Sequence, residues 1–81
     1  MTLPSNFYDD VRNFTAELGE KGLNAWQNKI NTVVEGASLG SEALMGVRFY
    51  LQELIKEESL SVEQKKRAKD FIELISQVLD N

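Results

Sequence analysis

Residues Ser61 to Leu79 read SVEQKKRAKDFIELISQVL, and this stretch decides the fold class. It opens Ser61-Val62-Glu63-Gln64, a Ser-x-x-Gln capping box. In that motif a hydroxyl and a side-chain amide satisfy backbone groups that a helix start leaves unpaired. Ala68, Phe71, Ile72, Ile75, Val78 and Leu79 then return every three or four residues, the period of a helix with one apolar face.

The same period runs back through the chain. A third helix is expected from Ser41 to Glu58, with Ser41 as N-cap and Leu44, Val47, Leu51, Leu54 and Ile55 on its stripe. A second is expected from Leu23 to Glu35, with Leu23, Trp26, Ile30, Val33 and Val34 inward and Gly36 ending it. A first is expected from Ser5 to Leu18, capped by Ser5 and stopped by Gly19, with Phe7, Val11, Phe14 and Leu18 on one line. The segment Gly36-Ala37-Ser38-Leu39-Gly40 is the most turn-like and should reverse the chain. Four amphipathic helices with short connections predict an all-α, up-down four-helix bundle forming one domain over residues 1–81. A bend at Gly19–Gly22, leaving three helices with a kinked first one, is the alternative.

The composition narrows the chemistry. The chain has no histidine and no cysteine, so imidazole bases, thiolate nucleophiles, disulfides and the usual zinc ligands are absent. Asp9 and Asp10 are neighbours that would point about 100° apart on a helix, as would Glu57 and Glu58. Glu53 and Glu57 face one way, but at an exposed helix end, where a solvated face is expected. There is no Glu-x-x-His pair, no calcium loop, and no Lys-Ser/Thr after Gly36-x-x-x-Gly40 to cradle phosphate. No enzyme, metal or cofactor is expected.

The formal net charge of −4 argues against nucleic acid or an anionic membrane as main partner and suits a basic one. Lys65, Lys66, Arg67 and Lys69 form the one basic cluster, with Glu63, Asp70 and Glu73 close by. It reads as a solvated, salt-bridged face, and the lack of interleaved aromatics weakens an RNA reading. Met1-Thr2-Leu3-Pro4-Ser5 has neither a basic nor an apolar leader region. Apolar runs fall far short of the roughly 20 residues that span a bilayer. A cytoplasmic location is expected.

Trp26 falls on the core stripe of helix two. Helix three is less regular, because Glu42, Met45, Gly46, Phe49, Glu53 and Lys56 lie opposite its core stripe and Tyr50 lies at the border. In one reading the helix is central, with Gly46 permitting a close crossing. In the other the face meets a partner, with Phe49 and Tyr50 as anchors and Glu42, Glu53 and Glu57 as a charged rim. Tyr8 would join that surface.

The run Glu35-Gly36-Ala37-Ser38-Leu39-Gly40-Ser41-Glu42-Ala43-Leu44-Met45-Gly46-Val47-Arg48-Phe49-Tyr50-Leu51 resembles one in small α-helical immunity proteins encoded beside bacterial polymorphic or contact-dependent toxins. Glu35, Gly36, Ser38, Glu42, Leu44, Met45, Gly46, Val47, Arg48 and Phe49 fit that pattern, as does Trp26 in the preceding helix. Leu39-Gly40 departs from it. The resemblance implies a protein that binds and blocks a toxin domain, with a nuclease the class in view. Arg48 would pair with Glu42 or Glu35. A helical adaptor or homodimer, with Met45, Gly46 and Phe49 between protomers, is the alternative function.

Overall fold

The computed structural model describes residues 3–36 and 40–80. Among them are four α-helices, α1 (Phe7–Glu20), α2 (Asn24–Gly36), α3 (Gly40–Leu54) and α4 (Val62–Leu79), packed as an all-α bundle. The expected turn at Ala37, Ser38 and Leu39 lies outside the described residues.

The first connection settles the three-helix alternative against a kink. α1 runs through Gly19 and ends at the next residue, Glu20, and Gly22 takes φ +86°. Leu23 N–H donates to Leu18 O (2.9 Å) and Gly22 N–H to Gly19 O (3.1 Å), which is a Schellman motif. The stop is Gly22, because it alone needs the left-handed backbone that a side chain resists. Gly19 serves packing instead: a Cβ there would overlap Gln27 Oε1 and lie 3.0 Å from Gln27 Cδ. Ser5 is not the cap; Asn6 holds that position, and its side chain makes no capping bond.

The capping box of α4 forms as read. Gln64 N–H donates to Ser61 Oγ and Ser61 N–H to Gln64 Oε1, both at 3.1 Å. α3 departs from expectation at both ends. It already includes Gly40, so Ser41 lies inside its first turn, and it stops at Leu54 short of Glu58. Tight turns follow, with Lys56 N–H donating to Glu53 O (3.2 Å) and Glu57 N–H to Leu54 O (2.9 Å). They take the chain out of helical register and deliver Leu60 into the core.

Phe7, Val11, Phe14 and Leu18 of α1 and Leu44, Val47, Leu51 and Leu54 of α3 share one buried cluster with Ile30, Leu60, Ala68 and Ile75. Each such side chain stabilises the fold by about 1.5–3 kcal/mol, so α1 and α3 anchor the bundle. α2 fully buries only Ile30. It is held along its edges: Asn31 Oδ1 accepts from the buried Thr15 hydroxyl (3.1 Å) on one side, and Val33 meets Gly46 on the other. Three residues join α2 to α3, so Gly36 and Gly40 lie within about 15 Å of each other. With Val33 also touching Gly46, α3 must fold back along α2. The α1–α4 seam is bridged by rings. Phe71 stacks edge-on against Phe7 (5.8 Å) and Phe14 (5.6 Å), and Arg67 lies over Phe14 and pairs with Glu17.

Candidate functional site

The core stripe of α3 points inward, so residues about 180° around the helix point away from it. Met45 and Phe49, one turn apart, are 53% and 57% exposed. Gly46, between them, is covered: a Cβ there would overlap Val33 Cγ1 and lie 3.5 Å from Val33 Cβ. The two readings of this helix therefore divide by residue. Gly46 belongs to a close crossing with α2, while Met45 and Phe49 lie on open surface. Tyr50 is half-buried against the core, and its ring meets Phe49 edge-on at 5.4 Å.

The acidic residues arrange themselves unequally around this pair. Glu42 is exposed in the first turn of α3, where a carboxylate suits the positive helix end. Glu53, one turn beyond Phe49, pairs with Lys56 Nζ at 2.8 Å. Glu57 lies in the turns after α3, off the helix that was expected to carry it. So Glu42, Phe49 and Glu53 share one helical face, Tyr50 flanks it, and Glu57 stands past its end. Tyr8 does not extend this surface through its ring contact, which is with Phe7 at 5.4 Å. Partial burial raises its phenol pKa above 10.0.

Arg48 pairs with neither Glu42 nor Glu35. It donates to Asp80 Oδ2 (2.9 Å) and Ser76 Oγ (3.2 Å), tying α3 to the end of α4. Sequence spacing held no signal for this partner, because the two residues are far apart in the chain. Met45, legible as part of the outer face from its i, i+4 relation to Phe49, is nearly as exposed as Phe49.

Trp26 is half-buried, with Lys29 Nζ 4.8 Å from its ring centroid. On α4, Arg67 is committed to Glu17 and Phe14, which leaves Lys66 and Lys69 exposed and Lys65 half-buried. Two shallow depressions of about 380 and 330 Å³ run along this helix, lined by Glu63, Lys66, Arg67 and Asp70 and then by Asp70, Glu73, Leu74 and Gln77. Among the described residues no group of three or more acidic side chains is placed to hold a metal ion. None of their helices is long and apolar enough to cross a membrane.

No family model, curated protein or solved structure matches this chain.

Proposed function

We propose that this chain is a non-catalytic immunity protein that binds a basic bacterial toxin domain, a nuclease by class, and occludes its active-site cleft in the cytoplasm of the producing cell. The observation that carries the reading is the α3 face: Met45 and Phe49 stand more than half exposed, side by side, with Glu42 and Glu53 on the same face. Anchors of this kind supply the buried centre of an interface, and the carboxylates form its rim. The net charge of −4 would steer a cationic domain toward the chain and speed association.

Charge favours a different protein over a second copy, because a two-fold pairing through this face would bring two acidic rims together.

The test is co-expression with the open reading frame encoded beside this gene. That neighbour alone should arrest growth, this chain should restore it, and Phe49→Glu should fail to restore it while remaining folded. A neighbour without toxicity, together with a firm dimer in sedimentation that Phe49→Glu dissociates, would replace this function with homodimerisation.

A further inference from the structure

The α3 face is too small to be the whole footprint. A standard interface covers about 800 Å² on each partner, several times what Met45 and Phe49 leave open. The site must therefore continue past α3, and its two flanks differ. Toward α4 lie the Arg48–Asp80 pair and Ser76, already joined to one another. Toward α2 lie Tyr50 and the Val33–Gly46 crossing. Two helical turns are about seven residues. That distance from the crossing brings antiparallel α2 to Trp26 and α3 to Glu53. By this register a half-buried tryptophan and a carboxylate fall on the facing sides of α2 and α3, with an exposed phenylalanine and a tyrosine beside them on α3.

The tryptophan face already accepts a cation, since Lys29 Nζ stands 4.8 Å from its centroid. Lys29 itself is exposed, on a flexible stem, and free to swing away. We infer that the docking surface spans the α2–α3 seam and that an arginine of the basic partner takes the place of Lys29 over Trp26 and of Lys56 at Glu53, both exposed lysines held by local pairs. Arginine fits because its planar guanidinium stacks on an indole face and also grips a carboxylate. This inference rests on the proposed function and adds the chemistry of the group that the site receives.

Charge alone would send a cation elsewhere. α1 carries Asp9, Asp10, Glu17 and Glu20 against a single Arg12, more negative charge than α3, but its one ring outside the core, half-buried Tyr8, packs edge-on against Phe7 and holds no cation. That contrast makes the inference testable with a capped hexa-arginine peptide titrated into the intact chain at low salt. Trp26 is the only tryptophan, so its emission is a local reporter. Emission should change saturably, high salt should abolish the change, and amide shifts should cluster at Trp26, Phe49, Tyr50 and Glu53. Lys29→Met should tighten binding about two- to fivefold beyond Lys66→Met, the range expected for freeing an exposed cation–π site. Lys66→Met removes the same charge from the outer face of α4 and so controls for net charge. Unchanged emission with shifts confined to α1, or equal effects of the two lysine substitutions, would overturn the inference. Neither result would touch the growth rescue that tests the proposed function.

Discussion

Replacing Gly46 with alanine tests the α2–α3 crossing. In a helix interior this exchange ordinarily stabilises by about 1 kcal/mol, because glycine is a poor helix former. Here the new methyl would overlap Val33 Cγ1. Valine is branched at Cβ and holds one rotamer in a helix, so its methyls cannot rotate away cheaply. The helices must separate, and overpacking of this kind costs about 1–3 kcal/mol. With so stiff a neighbour the upper half of that range applies, and the net effect is a loss of about 1–2 kcal/mol. A domain of this size loses about 4–8 °C in Tm for each kcal/mol. Gly19→Ala is the internal comparison. Its methyl would meet only the far end of Gln27, a flexible side chain that can move aside, so that variant should be neutral or up to about 0.5 kcal/mol more stable. Thermal and urea denaturation followed by helical circular dichroism measure both. In a double-mutant cycle, Val33→Ala should relieve the Gly46→Ala penalty, with a coupling of about 1 kcal/mol or more. If Gly46→Ala raises Tm as readily as Gly19→Ala, the close crossing and the placement of the site beside it are wrong.

Phe49→Glu should leave the Tm within the change of about 0.5 kcal/mol typical of surface substitutions while eliminating toxin protection; a folded variant that still protects would remove Phe49 from the interface. Ser61→Ala should cost about 1 kcal/mol through loss of the α4 cap, read as a lower urea midpoint with unchanged slope. Arg48→Met should cost less than about 1 kcal/mol, since the Asp80 side chain of the pair is 62% exposed, and raising salt should shrink the difference from the parent chain. Tyr8 has a folded-state pKa raised by burial, so its contribution is fully present below pH 10.0 and is lost as pH rises through the folded value. Alkaline melting curves should show that loss, and Tyr8→Phe should remove it.

Most of the fold was open to reading along the chain, because a helix is a local object. The stripe of α1 and the Ser61–Gln64 capping box each depend on residues a few positions apart, and both appear as read. Misreadings arose where two local signals competed. Gly19 and Gly22 both offered a stop, and the choice fell to Gly22 because it takes the left-handed backbone that ends the helix, whereas Gly19 stays helical. The end of α3 was placed too late because Ile55, Lys56 and Glu57 suit a helix, whereas the burial of Leu60 requires the chain to turn first.

Helical class, the inward stripes and the absence of imidazole and thiol chemistry follow from residue identity and a 3.6-residue period. The same period also put Met45, Gly46 and Phe49 on one outer face, and there it fell silent. Whether a neighbouring helix covers that face depends on how far round α3 the close packing of α2 extends. That is a property of two helices meeting, set by Val33 fitting where Gly46 has no side chain. Assembly of the bundle therefore separated a packing glycine from two exposed apolar side chains, and joined Arg48 to Asp80 across a distance that no local pattern encodes.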